Sequence, residues 1–202
     1  MIWDVLSPLY DFFETVYNGK CFKGIAEEIK KYVNKDDVVL ECACGTGLLT
    51  LPMAQICKEI VATDYSDGML RQTQKKVSGY NNVRIQKASI LEIPFDDNKF
   101  DVVVAANVIH LLDEPEKALA EMKRVCKPGG KLIIPTYINK ENKNSMFAAK
   151  LLSFFGVDFK RQFSLDSYKE FFVKHNVDVK EFRVVDGRMP CAFAISPSPL
   201  TP

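Results

Sequence analysis

Five short apolar runs, separated by stretches with helical spacing, constrain the fold of this chain more than any other feature. The runs are rich in β-branched residues and lie at 38–40, 60–62, 83–85, 102–104 and 132–134. Short runs of this kind predict strands buried on both faces. Apolar residues recur with helical spacing at about 47–57, 67–77 and 115–126. Strand alternating with helix is typical of a parallel sheet covered by helices on both faces.

The segments on either side of this alternation complete the predicted fold. Two amphipathic helices precede it, and a helix near 166–175 follows it. Two strands are predicted at about 178–186 and 189–195, and Asp186-Gly187 between them favours a tight turn between antiparallel strands. The sequence therefore predicts an α/β fold in three layers: a doubly wound, mostly parallel, seven-stranded sheet with an antiparallel C-terminal hairpin.

Composition and charge exclude several classes of protein. The 202 residues, 47% of them hydrophobic and 26% charged, are typical of one soluble globular domain. Because 27 Lys and Arg face 26 Asp and Glu, no overall field attracts a nucleic acid or an anionic membrane. No apolar run approaches the roughly 20 residues needed to cross a bilayer. The N-terminus has no secretory signal, so we expect a cytoplasmic protein with six reduced cysteines.

The segment after the first predicted strand combines an acid with two glycines. It reads Glu41-Cys42-Ala43-Cys44-Gly45-Thr46-Gly47 and precedes a predicted helix. Glycines there let the backbone approach a ligand closely, and the helix presents free N–H groups to a polar or anionic group. Glu41 ends an apolar strand, where burial without a partner is costly, so we expect its carboxylate to face donors of a ligand. Cys42-Ala43-Cys44 has no second Cys or His pair nearby, so we expect no metal.

The second predicted strand ends in Asp64. In nucleotide-binding folds an acid at this place accepts hydrogen bonds from ribose hydroxyls. The glycine segment and Asp64 together predict an adenosine-containing cofactor. The alternative is that Gly45 and Gly47 only close a strand-to-helix turn, and that Asp64 only caps the helix starting near Ser66.

Four segments, in this order, resemble landmarks of the class I S-adenosylmethionine-dependent methyltransferases, especially the small-molecule branch of quinone-biosynthesis C-methyltransferases. The resemblance covers about residues 37–138, and its landmarks are residues 38–47, 61–66, 95–103 and 127–132. It implies that the chain binds S-adenosylmethionine, releases S-adenosylhomocysteine and uses no metal.

The resemblance also implies a set of cofactor-binding residues. The first landmark would hold the methionine end of the cofactor, Asp64 the ribose hydroxyls, and Tyr65 would lie against adenine. The set comprises Glu41, Cys42, Ala43, Gly45, Gly47, Asp64, Tyr65, Met69, Ser89, Ile90 and Asn107. Ser89 departs from the family, which usually carries an aspartate there, and an uncharged acceptor is weaker than a carboxylate.

Two residues are candidates for catalysis on the acceptor side. His110 has an intrinsic pKa suited to taking an acceptor proton near neutral pH. Tyr10, in an N-terminal segment that resembles the family's lid, would reach the cofactor or the acceptor. Either residue could instead be packed, His110 at a turn and Tyr10 in the core. Methyl transfer by in-line displacement relies mainly on orientation and desolvation, so a general base is optional.

We therefore expect a single methyltransferase domain over 1–202 that methylates a small molecule, acts as a monomer or weak homodimer, and binds no nucleic acid. Its expected parts are an N-terminal helical lid at 1–34, a cofactor-binding core at 37–138, an acceptor-side insertion at 139–165 and a tail at 196–202. One alternative is a catalytically silent cofactor-binding protein with a regulatory or assembly role. Another is a nicotinamide-dependent oxidoreductase, but Thr50 stands where its loop would carry a third glycine.

Overall fold

The computed structural model describes residues 2–139 and 160–197, and within 2–17 it describes the side chains of Trp3, Asp4 and Ser7. The strands are β1 (Val38–Cys42), β2 (Glu59–Asp64), β3 (Val83–Lys87), β4 (Phe100–Ala105), β5 (Cys126–Tyr137), β6 (Glu181–Val185) and β7 (Cys191–Pro197). The helices are α1 (Ile2–Lys30), α2 (Thr50–Ala54), α3 (Asp67–Lys76), α4 (Pro115–Val125) and α5 (Leu165–Lys174). No helix of this described part is long and apolar enough to cross a membrane.

The seven strands form one mixed sheet in the order β3-β2-β1-β4-β5-β7-β6. The first five in chain order pair in parallel, whereas β7 runs antiparallel to its neighbours β5 and β6. This arrangement confirms the predicted α/β fold. The order along the sheet reverses beside β1, which lies between β2 and β4, and in open α/β sheets a ligand crevice forms at such a point.

Successive residues of the central strands pack into two separate cores, one on each face of the sheet. Leu40 and Val103 lie in a core with Leu119 of α4 and Phe172 of α5. The second core lies on the opposite face. It contains Ile25 and Ile29 of α1, Met53 of α2, and Val39, Ile60 and Val102 of the sheet. Because side chains alternate along a strand, a strand covered on both faces must be apolar at every position. This explains the continuous apolar runs in the sequence.

The N-terminal element α1 consists of two helices that meet at a kink at Asn18 (φ −126°, ψ 22°), which agrees with the two helices that the sequence predicts there. Asn18 is 2% exposed, and its side chain bonds the backbone of Met189: Nδ2 donates to the carbonyl oxygen at 2.9 Å and Oδ1 accepts from the amide at 3.2 Å. After the kink, Cys21, Ile25 and Ile29 are buried at four-residue spacing. The second half of α1 is therefore part of the core.

The C-terminal region differs from its prediction in three details. β6 begins at Glu181 rather than near 178, and five residues connect it to β7 instead of a two-residue turn. Gly187 in this connection lies against α1, where an added Cβ would be 2.4 Å from the Cβ of Cys21. β7 also includes Ser196 and Pro197, which the sequence placed in the tail, because they pair with Leu132 and Lys131. Residues 140–159, most of the predicted insertion, and 198–202, the rest of the predicted tail, lie outside the described residues.

Candidate active site

A cavity of about 630 Å³ opens at the carboxyl ends of the parallel strands. Its lining comes from the segments that follow β1, β2, β3 and β4, and from the first turn of α1. The lining residues are Trp3, Ala43, Gly45, Asp64, Tyr65, Met69, Ala88, Ser89, Ile90, Leu91, Glu92, Ala106, Asn107, Val108, Leu111 and Leu112. This volume lies within the range of small-molecule sites, roughly 300–1,000 Å³.

The cavity brings together eight of the residues singled out in the sequence. They are Ala43, Gly45, Asp64, Tyr65, Met69, Ser89, Ile90 and Asn107. Four others, Glu41, Cys42, Gly47 and His110, do not belong to the lining. The side chain of Tyr10 lies outside the described part of the structure.

The loop after β1 adopts left-handed backbone at Gly45 (φ 57°) and Gly47 (φ 78°). If Gly45 carried a Cβ, no other atom would lie within 4 Å of it, so the space beside this glycine is open. At Gly47 a Cβ would lie 2.8 Å from Cγ2 of Thr73 in α3. Thr73 Oγ1 donates to the carbonyl oxygen of Gly45 at 2.8 Å. Gly45 therefore leaves room for a ligand, whereas Gly47 permits the loop to pack against α3.

Asp64 joins this loop to the start of α3. Its Oδ2 accepts a hydrogen bond from the Gly45 amide at 2.9 Å, and its Oδ1 accepts one from the Ser66 amide at 2.8 Å. Burial raises the pKa of Asp64, and the backbone amides that donate to it oppose that shift. Because each carboxylate oxygen has two lone pairs, both oxygens can accept a further bond from a ligand hydroxyl.

Glu41 is 2% exposed, at the end of β1. Its Oε2 accepts a hydrogen bond of 2.5 Å from Oγ1 of Thr50, the first residue of α2. Burial raises the pKa of Glu41 to about 8, while the bond from Thr50 acts in the opposite direction. Burial therefore favours the protonated form of this carboxyl group, which bonds α2 instead of lining the cavity.

His110 is 6% exposed and packs behind the cavity wall. Its Nδ1 lies 2.8 Å from Oγ1 of Thr136 in β5. Burial lowers the pKa of His110 to about 4, so the imidazole is neutral at pH 7. The next two residues, Leu111 and Leu112, line the cavity where His110 does not. The structure thus gives His110 the packed position that the sequence left open.

Three further residues of the lining, Ser89, Asn107 and Tyr65, bring polar groups and an aromatic ring to the cavity. Ser89 Oγ accepts the amide hydrogen of Leu91 at 3.1 Å, so the hydroxyl stabilises its own loop. Asn107 has left-handed backbone (φ 53°), and its Oδ1 accepts a hydrogen bond from the amide of Tyr137 at 3.1 Å. The ring of Tyr65 is 59% exposed at the cavity, with Nζ of Lys87 5.8 Å from its centroid. An exposed aromatic face of this kind can stack on a flat ligand.

Sequence reasoning missed the apolar part of the lining. Trp3 comes from the first turn of α1, and Leu111 and Leu112 come from the turn after β4. No spacing in the sequence links the N-terminus to the end of β4. That Trp3 is the only tryptophan of the chain was the one available signal. Among residues 2–139 and 160–197, no group of three or more His, Cys, Asp or Glu side chains is placed to hold a metal ion.

Comparison with known proteins supports the same interpretation. Residues 40–134 match a family model described as a methyltransferase domain. A demethylmenaquinone methyltransferase of Clavibacter sepedonicus is 36% identical over 96 residues, which are 48% of this chain and 39% of that protein. A ubiquinone/menaquinone biosynthesis C-methyltransferase of Teredinibacter turnerae is 33% identical over 165 residues, which are 76% of this chain and 65% of that protein. The chain therefore spans less than two thirds of the length of either relative.

Solved structures share the fold at low sequence identity. A structure from Thermotoga maritima, described as an S-adenosylmethionine-dependent methyltransferase and possible histamine N-methyltransferase, superposes with a TM-score of 0.76. The two chains are 20% identical, and the superposition covers 98% of each. The family match, the curated relatives and the order of the seven strands agree with the landmarks in the sequence. Residues 40–134 are therefore similar to a methyltransferase domain, and the chain shares the fold of a solved S-adenosylmethionine-dependent methyltransferase.

Proposed function

We propose that this protein binds S-adenosylmethionine in the 630 Å³ cavity and transfers its methyl group to a small-molecule acceptor. The observation that carries the proposal is that Gly45 and Asp64, joined by a hydrogen bond, line the same cavity as the apolar side chains of Leu111 and Leu112. The residues fit the cofactor, since Gly45 leaves the open space that a Cβ would fill and Asp64 keeps lone pairs for two hydroxyls.

The polar end of the cavity would hold the nucleoside part of the cofactor. Asp64 would accept hydrogen bonds from the ribose hydroxyls, and the exposed ring of Tyr65 would lie along the adenine. Ser89 and Ile90 line the same cavity. Asn107, on the segment after β4, also belongs to its lining.

The remaining predicted cofactor residues would act through the loop and its packing. Glu41, Cys42 and Gly47 lie outside the lining, and they would shape the loop that holds the methionine end. Ala43 and Met69 line the cavity on either side of this loop. Tyr10 would contact the cofactor or the acceptor.

The apolar end would receive the acceptor. Val108, Leu111 and Leu112 would form it, and such side chains exclude water and favour a ligand with an apolar or aromatic body. Bound S-adenosylmethionine supplies a methyl group already activated by the sulfonium charge, so the protein's task is to align the acceptor and desolvate it. The curated relatives carry names of quinone-biosynthesis methyltransferases, which supports a phenol or quinol as the acceptor class.

The geometry favours a reaction without a histidine base. His110 is neutral and bonded to Thr136 behind the wall, so we propose that it supports the wall beside Leu111. Without such a base, a phenol or quinol would release its proton to water before it enters the apolar end, and the phenolate would be the nucleophile. The same observation favours the second candidate, a protein that binds the cofactor without turnover, because no histidine belongs to the described lining.

Calorimetric titration with S-adenosylmethionine and S-adenosylhomocysteine tests the proposal. We expect saturable binding of both, weakened roughly 10- to 100-fold by Asp64→Ala, since charge-assisted hydrogen bonds contribute about 1.5–3 kcal/mol. Asp67→Asn is the matched control: Asp67 begins α3, bonds Nζ of Lys87 at 2.6 Å and does not line the cavity. Its effect should stay below about fivefold, because exposed ion pairs contribute little.

Two outcomes decide between the candidates. If the unaltered protein binds neither ligand, the proposed cofactor site is wrong. If it binds both but transfers no labelled methyl group to a panel of phenols, quinols and amines, the protein binds the cofactor without turnover. Transfer to one of these acceptors establishes the enzyme and identifies the acceptor class.

A further inference from the structure

Asp4, in the first turn of α1, is tied to the start of α3. Its Oδ1 accepts hydrogen bonds from Oγ of Ser66 and from the amide of Gly68, each at 2.8 Å. The two segments approach so closely that a Cβ on Gly68 would lie 2.7 Å from Cα of Asp4. The amide of Gly68 and the hydroxyl of Ser66 hold the pKa of Asp4 well below its usual range. The carboxylate therefore keeps these bonds throughout the neutral pH range.

The contact continues into the proposed cofactor site. Ser66, which donates its hydroxyl to Asp4, also donates its amide to Oδ1 of Asp64 at 2.8 Å. Oδ2 of Asp64 in turn accepts from the amide of Gly45 at 2.9 Å. One chain of hydrogen bonds thus connects the beginning of α1 with the ribose acid and the glycine loop.

The residue before Asp4 lies over the cavity. Trp3 is half-buried and lines the cavity together with Asp64 and Tyr65. An indole is the largest side chain a protein can place over a ligand. Its position depends on where the first turn of α1 is held.

The two ends of α1 are fixed in different ways. The second half is buried in the core from Cys21 onward, and Asn18 at the kink bonds the backbone of Met189. The backbone at Asn18 is not helical, so the geometry of the second half does not by itself set the direction of the first. The bonds of Asp4 at the far end then fix the direction of the first half.

We propose that Asp4 is a positioning residue that holds Trp3 over the cavity and slows release of the bound nucleoside. The inference rests on the proposed function, because it assigns Trp3 to the cover of the cofactor site. Asp4 touches neither reacting atom; it acts through Ser66 and Gly68 on one side and through Trp3 on the other. The position of the first turn of α1 and the conformation of the segment at Asp64 are coupled, because Ser66 donates hydrogen bonds to both Asp4 and Asp64.

The single tryptophan of the chain makes the cover directly observable. We expect Asp4→Ala, without ligand, to give a larger Stern–Volmer constant for acrylamide quenching, because Trp3 is then less shielded. In stopped-flow measurements of Trp3 fluorescence, S-adenosylhomocysteine should dissociate about three- to fivefold faster from Asp4→Ala, as loss of partly exposed charged bonds predicts. Asp4→Asn keeps an acceptor oxygen and should restore most of the unaltered rate.

A matched variant and a folding control separate this role from general destabilisation. Asp166→Ala removes an exposed acid from the first turn of α5 and should change neither quenching nor release. Circular dichroism confirms that each variant is folded at the assay temperature. If S-adenosylhomocysteine binds the unaltered protein, and leaves Asp4→Ala at the unaltered rate with unaltered quenching, the positioning role is wrong. Failure of the proposed function is different: the unaltered protein itself would bind no ligand.

Discussion

The two glycines of the loop after β1 share a left-handed backbone but have different surroundings, and this difference predicts different effects of the same substitution. At Gly45 (φ 57°) a Cβ meets nothing within 4 Å. At Gly47 (φ 78°) a Cβ would lie 2.8 Å from Cγ2 and 3.1 Å from Cα of Thr73. Thr73 cannot turn away without cost, since its Oγ1 donates to the carbonyl oxygen of Gly45. Gly47→Ala should therefore destabilise the fold more than Gly45→Ala.

The expected magnitudes follow from separate terms. Alanine in left-handed backbone costs about 1–2 kcal/mol, and restricting the unfolded chain offsets about 0.4–1 kcal/mol. Gly45→Ala should then lower the free energy of unfolding by about 0.5–1.5 kcal/mol. Overlap with Thr73 adds about 1–3 kcal/mol, which brings Gly47→Ala to about 2–4 kcal/mol. A difference of about 2 kcal/mol corresponds to about 4–8 °C in Tm for a chain of this size.

Ligand binding should rank the two variants in the opposite order. The methyl group of Gly45→Ala stands in the cavity, so it should weaken binding of S-adenosylhomocysteine about tenfold or more. Gly47 is not a lining residue, so Gly47→Ala should bind more tightly than Gly45→Ala at a temperature where both are folded. Urea denaturation and calorimetric titration give the two quantities. Equal losses of stability, or weaker binding by Gly47→Ala, would refute the reasoning.

Two buried ionisable side chains predict opposite pH dependences of stability. The pKa of Glu41 is about 8 in the folded protein and ordinarily 4.5. Between these pH values the folded protein holds a proton on Glu41 that the unfolded chain has lost. The free energy of unfolding therefore falls as pH rises from 4.5 to 8, by up to about 1.4 kcal/mol per pH unit. Glu41→Gln should gain stability relative to the unaltered protein as pH rises from 5 to 8, measured by urea unfolding; a constant difference would contradict the burial. The pKa of His110 is about 4 against an ordinary 6.5, so stability falls as pH drops from 6.5 toward 4. His110→Leu should lose this acid sensitivity, and His175→Leu, at the residue that follows α5, serves as its control; identical acid profiles for the unaltered protein and His110→Leu would contradict the prediction.

Much of the fold could be predicted because its determinants are local. A strand buried on both faces requires consecutive apolar residues, and the run from Val38 to Leu40 predicts β1 for this reason. Asp64 could be placed at the site because the carboxyl ends of parallel strands share one edge of the sheet. The same rule placed Glu41 at that edge, but it could not show that its carboxyl group bonds Thr50, nine residues later.

The place of Trp3 at the cavity could not be predicted, because it depends on residues that are distant in the chain. Trp3 and Leu111 are more than a hundred positions apart, and no periodicity relates them. The contact of Asp4 with Ser66 likewise depends on how the kinked helix α1 lies across α3, which the packing of both helices on the sheet determines. Candidate side chains can be identified by type and place along the chain, but not by the direction in which they point.

By itself, the sequence of this chain determined the order of strands and helices, the glycine loop and the acid after β2, because backbone preferences and apolar spacing act over a few residues. Only the tertiary structure decided which of the candidates share a cavity. It placed Asp64 and Gly45 in the wall, directed Glu41 toward α2 and packed His110 against Thr136. The physical reason is that burial and hydrogen-bond partners come from residues distant in the chain, which close packing brings together.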